Sequence, residues 1–499
     1  MISLNWPELS LPSTSQLASG GSLLVAYWVV AALYNLFASP LRKIPGPSLN
    51  AVSWLPWYKY WFSGYMHREV LRLHERYGPI VRIGPSEISF IDKAAWKDIY
   101  SLKRCRQIER DPTSFPSLTP HGAKFDLLTY SPADHAKYRK ILNPCFSEKA
   151  TKEYEDTVQE NVDKLIAKLV AAVGPGLERT NVTKWFQWLT FDMIVDVCWG
   201  ESFECVSKQE SHPCLALSMD MVSLSCFVVF VAWWKGLKNL LIRLTGVEGL
   251  FVRLVRSKCE GSLTSGSKKS SIYSNLRAAG DPLGPAELDG NLTAIVIAGS
   301  ETTGFALTAT SYYLAKNPDC FRKAAAEVRS TFASAEEIND DAVRKLPYIK
   351  ATIDEALRMT PAEPNGLARQ VVVDGLYIAD HYIPSNTSIY VSQFAANRSS
   401  AHFRLPDEYH PERWLGGSDF KDDQLDAVQP FLMGVNVCIG RGLAWMEMRL
   451  TLARLLWEFD WTINDADGDA FEQSKAWHVW MKSHVHLQIS KRDARGLDS

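Results

Sequence analysis

The sequence predicts a mainly α-helical protein with small β-sheets, preceded by a single helix that crosses a membrane. Between residues 64 and 370, most segments repeat apolar residues every three or four positions, as amphipathic helices do. Short runs rich in valine, isoleucine and tyrosine, at 80–91 and 371–394, are typical of strands. We therefore expect a membrane anchor with its basic flank at 1–43, and one helical domain with sheets at its edge at 44–499.

Composition argues against several classes of protein. The chain of 499 residues is 46% hydrophobic and 22% charged, with ordinary glycine and proline content, which argues against disordered and fibrous proteins. Its net charge of -2 gives no electrostatic reason to expect nucleic acid as a partner. The cysteines number 9, an odd count, and include no C-x-x-C pair. This argues against a disulfide framework or a zinc ribbon and fits a reducing compartment.

A membrane segment is predicted from LLVAYWVVAALYNLFA at 23–38, which holds no charge and, with its flanking serines, is just long enough to cross a bilayer. No Lys or Arg precedes it, whereas Arg42 and Lys43 follow, so the positive-inside rule places the rest of the chain in the cytosol. IPGP at 44–47 then predicts a stiff hinge. The alternative for the apolar run is a buried amphipathic helix.

The segment AIVIAGSETTGFALTATSYYLA at 294–315 is apolar nearly all round and predicts a long buried helix. Its middle holds Gly299, Glu301 and Thr302, and a glycine beside hydroxyls lets a helix open locally. Two interpretations remain open. The segment is either a kinked core helix whose Glu301 reaches a salt-bridge partner, or a site where Thr302 and Glu301 handle protons.

A buried ionic network is predicted from IDEALRM at 353–359, which places Glu355 and Arg358 on one helix face beside apolar residues. A buried guanidinium needs further acceptors or a planar stack. Arg413, in HPERW at 410–414, could complete a network with Glu355. Neither fragment is specific alone, because E-x-x-R occurs by chance in many helices.

Cys438 lies in FLMGVNVCIGRG at 431–442, among small and apolar residues and with no second cysteine nearby. It could be a buried thiol, a catalytic nucleophile or a ligand to a group that the sequence does not show. Asn436 is unexpected, because a cysteine that carries negative charge usually lies close to a cation.

Four motifs follow one another along the chain. They are AGSETT from 298, E-x-x-R from 355, PERW from 411 and F-x-x-G-x-x-x-C-x-G from 431. Together they resemble the cytochrome P450 superfamily, the haem-thiolate monooxygenases, from Ile44 to the C-terminus. The anchor, basic flank and proline hinge resemble the microsomal type, and LNPCFS at 142–147 and CIGRGLAWMEMRL at 438–450 resemble fungal enzymes of specialised metabolism. The resemblance implies the cytochrome P450 fold and haem b as cofactor.

The resemblance also implies that Cys438 is the axial ligand of the haem iron, because a thiolate favours O–O cleavage. Phe431 would pack beside the loop and keep water from the thiolate. Gly434 and Gly440 would let the backbone turn tightly and approach the flat macrocycle, where a Cβ would clash. Backbone N–H groups would then point at the sulfur.

On the opposite face of the haem, the resemblance implies that Thr302 and Glu301 deliver protons during oxygen activation. The helix would be dislocated at Ala298–Gly299 and so make room for oxygen and water. This is the second of the two interpretations left open above.

Haem propionates need cations, and the resemblance assigns His135 and Arg139, in DHAKYRK, and Arg369, in NGLAR, to them. The family usually has an arginine two residues before the cysteine, where this chain has Asn436, and Val435 replaces the usual proline. Three interpretations compete: a tolerated change, an altered redox potential or a weakened enzyme. We favour the first, with Arg139 and Arg369 sufficing.

The predicted function is a monooxygenase that inserts one oxygen atom from O₂ into a hydrophobic small molecule, by hydroxylation, epoxidation or a related oxidation. The resemblance places it in a fungal secondary-metabolite pathway, with a terpenoid, alkaloid or polyketide intermediate as substrate. It also implies a single-pass protein of the endoplasmic reticulum membrane whose catalytic domain faces the cytosol. The alternatives are a P450-fold isomerase or dehydratase, and a haem-binding protein with impaired turnover.

Electrons are expected from NADPH through a separate NADPH–cytochrome P450 reductase, because the chain carries no flavin or nicotinamide fingerprint. The reductase would dock on the thiolate face against basic residues. The candidates are Lys137, Arg139, Lys140, Arg441 and Arg449. Apolar segments are expected to line the substrate pocket. They are 107–127, 221–234, 296–302, 365–367 and 476–481.

Overall fold

The structure is a computed structural model. It describes residues 14–111, 132–174, 176–216, 253, 256–261, 269–464, 468, 471–481 and 483–492. Two of the segments expected to line the substrate pocket, 221–234 and most of 107–127, lie outside these described residues.

The chain begins with the predicted membrane segment. Helix α1 (Thr14–Leu33) continues into a π-helical turn at Tyr34–Ala38. The stretch Gly21–Ala38 is long and apolar enough to cross a bilayer, and none of it is buried in the protein. The end of this segment is held by Arg82, which donates to the backbone carbonyl of Asn35 at 3.0 Å and to its side-chain oxygen at 2.9 Å.

Helices dominate the rest of the chain, as the apolar periodicity predicts. In chain order they are α2 (Ser48–Val52), α3 (Leu55–Ser63), α4 (Met66–Tyr77), α5 (Lys93–Tyr100), α6 (Pro132–Leu142), α7 (Glu148–Glu153), α8 (Glu155–Ala172), α9 (Val182–Trp199), α10 (Cys205–Lys208), α11 (Ile272–Ala278), α12 (Pro285–Lys316), α13 (Pro318–Thr331), α14 (Asp340–Val343), α15 (Pro347–Met359), α16 (Gln393–Asn397) and α17 (Arg441–Glu458).

Short strands form sheets at the edge of the helical body. They are β1 (Ile80–Gly84), β2 (Glu87–Phe90), β3 (Ile108–Arg110), β4 (Glu178–Asn181), β5 (Arg369–Val371), β6 (Gly375–Ile378), β7 (His381–Pro384), β8 (Ser388–Val391), β9 (Phe459–Thr462) and β10 (His486–Lys491). A five-stranded sheet has the order β1-β2-β8-β5-β3, a three-stranded sheet the order β4-β10-β9, and β6 pairs with β7. The fold is therefore mainly α with small sheets.

The long helix α12 passes through the larger of the main clusters of buried apolar side chains, and it packs most extensively against α9. Glycines allow this close approach. A Cβ at Gly299 would lie 2.8 Å from Ile194 Cγ1, and a Cβ at Gly304 would lie 2.8 Å from Thr190 Oγ1. The helix begins with Pro285 at its first turn and with the Glu287 side chain accepting from Gly284 N at 2.9 Å, which caps it.

Candidate functional site

The loop that carries Cys438 lies between a 3₁₀ turn at Gly434–Asn436 and helix α17. Its shape is fixed by the Cys438 N–H, which donates to the Phe431 carbonyl at 2.8 Å. The Cys438 side chain is accessible, and the residues just before it, Val435 and Asn436, line a cavity together with Arg139. Burial raises the pKa of the Cys438 thiol, and a hydrogen bond from the Gly440 N–H and the charges of Arg139 and Arg441 only partly oppose this rise.

Arginines, a histidine and Asn436 meet in a cavity of about 410 Å³ next to this loop. Among its lining residues are His135 and Arg139 from α6, Arg369 from β5, and Asn436. His135 and Arg139 stand one helical turn apart, so both point to the same side of α6. Arg139 is held by the loop, since its Nη1 donates to the Val437 carbonyl at 3.0 Å. The structure thus brings together the side chains that the sequence assigned to the propionates.

Arg369 is 3% exposed, and its guanidinium is only partly satisfied. Its Nη1 donates to its own backbone neighbours, the carbonyls of Leu367 at 3.3 Å and Ala368 at 3.0 Å. Its buried Nη2 has no hydrogen-bond partner among the described residues. Burial lowers the pKa of Arg369, whereas Tyr100 and Glu363 raise it. A buried charged donor without a partner indicates that an anionic group binds here.

His135 lines the cavity as the propionate assignment requires, and that assignment stays a prediction. Burial lowers its pKa to about 4, and the charges of Arg139, Arg110 and Arg369 add to that effect. Its neutral imidazole can offer an N–H to an anion.

The middle of α12 carries a small accessible patch. Ala298 is exposed and Thr302, one turn later, is half-buried, whereas Glu301 is 5% exposed. The Thr302 hydroxyl donates to the Ala298 carbonyl at 2.7 Å. The predicted dislocation does not occur, because α12 is unbroken from Pro285 to Lys316. Gly299 instead provides the close approach to α9.

Comparison with known proteins decides the family. The profile of the family described as Cytochrome P450 matches residues 44–484. The chain belongs to the cytochrome P450 family. It is 72% identical to cytochrome P450 monooxygenase sdnF of Sordaria araneosa, with 98% of each chain covered. It is 34% identical to trichothecene C-15 hydroxylase of Fusarium sporotrichioides, over 98% of this chain and 99% of the relative. It is 32% identical to averantin hydroxylase of Dothistroma septosporum, over 95% and 91%.

This P450 is therefore a haem-thiolate monooxygenase, similar to fungal enzymes of secondary metabolism. Its family uses haem with electrons that NADPH supplies through a separate reductase, and it acts on hydrophobic substrates. The predictions of family, fold class, enzyme class and cofactor are confirmed.

The residues present in the P450 fit haem. The Cys438 thiol is accessible, and Arg369 Nη2 is a buried donor in need of an anion. Gly440 has an ordinary φ of -82°, yet a Cβ added there would meet no atom within 4 Å. This open space beside Cys438 is a cradle in which the flat face of the cofactor can lie.

Gly434 makes the tight turn that the sequence predicts, with a φ of +67°. A Cβ there would also clash with the Tyr100 carbonyl oxygen, a packing reason that the sequence does not show. Its predicted approach to the macrocycle stays a prediction. Phe431 is half-buried, with its ring centroid 6.2 Å from that of Trp445.

Arg110 lies in the segment 107–127, which was expected to line the substrate pocket, but the propionate role was not assigned to it. It ends β3 and stands directly opposite Arg369 in the antiparallel pairing of β3 with β5. Both arginines line the cavity that Asn436 also lines. No motif marks Arg110, and only the pairing of two strands that are distant in sequence reveals it. Arg110 is thus a further cation in the place where Asn436 supplies none.

Glu355, Arg358 and Arg413 form the predicted network away from the cavity. All three are buried, and Arg413 Nε donates to Glu355 Oε1 at 3.2 Å. Trp414 Nε1 donates to Glu355 Oε2 at 2.9 Å. The centroid of the Phe403 ring lies 5.2 Å from Arg358 Cζ and 5.6 Å from Arg413 Cζ, within the range of a cation–π contact with both guanidinium groups. The network ties α15 to the 3₁₀ turn at Pro411–Leu415.

The five basic residues predicted to dock a reductase are not equally available. Lys137 pairs with Glu287 at 2.9 Å, Arg449 pairs with Asp340 at 2.8 Å, and Arg139 faces the cavity. Lys140 and Arg441 are exposed. These two therefore remain the better candidates for contact with a partner.

Proposed function

We propose that this P450 inserts one atom of O₂ into a hydrophobic terpenoid, alkaloid or polyketide intermediate of a fungal secondary-metabolite pathway, with Cys438 as the axial ligand of haem. The observation that carries this proposal is the position of Cys438. Its thiol is accessible beside the Gly440 cradle, next to a cavity lined by Arg110, Arg139 and Arg369. The relatives named as hydroxylases of trichothecenes and of averantin support an oxidation of this kind.

Haem, when bound, would activate oxygen. The chain would hold the haem and supply protons for the reaction. Arg139, Arg369 and Arg110 would bind the propionates, with His135 donating an N–H. The Gly440 N–H would stabilise charge on the Cys438 sulfur. Phe431 would keep water away from it.

Proton delivery is proposed for Thr302 and Glu301. Thr302 is half-buried and its Oγ1 donates to the Ala298 carbonyl, so a rotation about χ1 would free this hydroxyl to turn towards a reacting group. Glu301 is adjacent in sequence and buried, a position from which a carboxyl can replace the proton that the hydroxyl gives up.

Membrane attachment is proposed for the stretch Gly21–Ala38, which is apolar and exposed. Arg42 and Lys43 follow it and support a single-pass orientation with the body in the cytosol, at the endoplasmic reticulum. NADPH–cytochrome P450 reductase would dock on the side of Cys438, near Lys140 and Arg441. Alkaline carbonate extraction of microsomes tests the anchor: the whole chain should stay in the pellet, and a chain that starts at Ile44 should be released.

Incubation with NADPH, reductase and isotopically labelled dioxygen tests the proposed reaction. Candidate lipophilic substrates should gain one labelled oxygen atom, with NADPH consumed. Conversion of a substrate without O₂ would instead favour the isomerase or dehydratase. Haem binding without turnover of any member of a broad terpenoid, alkaloid and polyketide panel would favour a haem-binding protein.

A further inference from the structure

Tyr100, the last residue of α5, lies between Arg369 and the cysteine loop. It is 1% exposed and lines the same cavity as Arg369 and Asn436. Its hydroxyl donates to the Leu367 carbonyl at 3.0 Å and accepts from the Val391 N–H at 3.4 Å. These bonds fix the ring against the loop before β5 and against β8.

The ring of Tyr100 supports the guanidinium of Arg369. Arg369 Cζ lies 5.3 Å from the ring centroid, a distance at which the face of an aromatic ring attracts a cation. Among the described residues, Arg369 otherwise donates only to the carbonyls of Leu367 and Ala368, and Glu363 acts on it electrostatically. The Leu367 carbonyl accepts hydrogen bonds from both Tyr100 and Arg369 and so links the two side chains. Tyr100 therefore restricts the direction in which the free Nη2 of Arg369 can point.

The backbone of Tyr100 meets the cysteine loop from the other side. The contact of its carbonyl oxygen with Gly434 is so close that Gly434 cannot carry a Cβ. Gly434 opens the turn that holds Asn436 and leads to Cys438. One residue thus contacts both a predicted propionate ligand and the start of the loop that holds the axial ligand.

We propose that Tyr100 is a positioning residue for haem. It acts through Arg369, whose guanidinium it holds towards the propionates, and it fixes the position of the cysteine loop relative to Arg369. The inference rests on the proposed propionate role of Arg369. Tyr100 does not touch the reacting atoms, so its effect is on how firmly and in which orientation the cofactor is held.

A double-mutant cycle on haem release tests the inference. Haem transfer from the ferric full-length enzyme to excess apomyoglobin is followed by absorbance for wild type, Tyr100→Leu, Arg369→Leu and the double variant. Tyr100→Leu should accelerate transfer about 3- to 30-fold in the wild-type background, the range of a partly desolvated cation–π contact. It should change the rate by less than about 2-fold in the Arg369→Leu background, because the group through which it acts is gone.

Trp461→Phe is the control, since Trp461 is a buried aromatic residue of β9 that does not line the cavity and whose indole N–H donates to the Ser311 carbonyl at 3.1 Å. Its effect on transfer should be the same in both backgrounds. Tyr100→Phe keeps the ring over Arg369, and its rate of haem transfer should stay close to that of wild type. Tyr100→Met serves for the same cycle should Tyr100→Leu give no soluble protein.

Equal acceleration by Tyr100→Leu in both backgrounds would overturn the inference, because it would show a general structural role. An unchanged transfer rate for Arg369→Leu alone would overturn the propionate role of Arg369 and the inference with it. The two failures are distinguishable, because the second is seen without any change at Tyr100.

Discussion

The carboxylate of Glu355 receives a bidentate pair of hydrogen bonds from Arg358, with Nε–Oε2 at 2.9 Å and Nη2–Oε1 at 2.8 Å, and neither side chain has any exposed surface. Burial opposes ionisation of Glu355, but Arg358 and Arg413 hold its pKa below its usual value. Glu355, Arg358 and Arg413 therefore form a fully buried network of charges. Without Glu355, Arg413 would keep its ion pair with Asp423, but Arg358 would stay buried with only backbone carbonyls as acceptors and no carboxylate to balance its charge.

Glu355→Gln should therefore lower the free energy of unfolding by about 3–5 kcal/mol. The measurement is a denaturant titration followed by far-UV circular dichroism. Glu148→Gln is the control, because Glu148 is 87% exposed and lies 3.6 Å from Arg344 in a surface pair. Such a pair contributes about 0–1 kcal/mol. Similar losses in the two variants would contradict the account of the network.

Glu287 should make stability depend on acid pH. A hydrogen bond from Tyr138, opposed by burial and aided by Lys137, lowers the pKa of Glu287 from its usual 4.5 to about 2. The Glu287 carboxylate therefore binds a proton less readily in the folded state than in the unfolded state. The stabilisation is complete above about pH 4.5 and is lost as the pH falls towards 2.

Glu287→Gln should accordingly be less stable than wild type at pH 7, and the two proteins should converge as the pH falls from 5 towards 2. Urea midpoints at a series of pH values measure this convergence. A constant difference across the series would show that Glu287 does not titrate in this way.

Thr302→Ala should uncouple NADPH consumption from product formation. Product formed per NADPH should fall about tenfold or more, since a positioned proton donor contributes roughly 100-fold or more to rate, and peroxide should appear. Thr308→Ala is the matched control, because its hydroxyl also donates to a carbonyl one turn back in α12, that of Gly304 at 2.8 Å. Tight coupling in Thr302→Ala, measured with any substrate that is turned over, would remove Thr302 from proton delivery.

Arg110 should compensate for Asn436. Arg110→Gln should accelerate haem transfer to apomyoglobin about tenfold or more, as expected for the loss of a charge-assisted contact of about 1.5–3 kcal/mol. Asn436→Arg should hold haem at least as well as wild type and should restore retention in the Arg110→Gln variant. Arg72→Gln, at a side chain 67% exposed, controls for the loss of a charge.

No effect of Arg110→Gln would leave Arg139 and Arg369 as sufficient by themselves, which is the interpretation drawn from the sequence. Haem loss in Asn436→Arg would show that the cysteine loop has been rebuilt around asparagine. The first result would contradict compensation by Arg110, and the second would contradict the expected tolerance of an arginine at position 436.

Much of this structure could be predicted from local sequence patterns. The helices follow from apolar periodicity, and Cys438, Glu355 and Arg358 stand in motifs whose spacing is fixed by one loop or one helix. Tyr100 and Arg110 could not be found in this way, because their roles arise from contacts with Arg369 and Gly434, which are remote in sequence.

For some residues the sequence alone showed only part of the physical reason. Gly299 was attributed to helix opening, yet α12 is unbroken there and Gly299 is required by close packing on α9. Gly434 makes the predicted tight turn, but its contact with Tyr100 could not be foreseen. The lowered pKa of His135 depends on burial and on three nearby arginines that its motif does not show. Packing distances and summed electrostatics arise only in the fold.

The most direct test of the account is the absorbance spectrum of the reduced, carbon monoxide-bound protein, for wild type and for Cys438→Ser. The account predicts that wild type shows the long-wavelength Soret band of thiolate-ligated haem and that Cys438→Ser loses it. A wild-type Soret band at the shorter wavelength of imidazole-ligated haem, or a thiolate band that persists in Cys438→Ser, would contradict it.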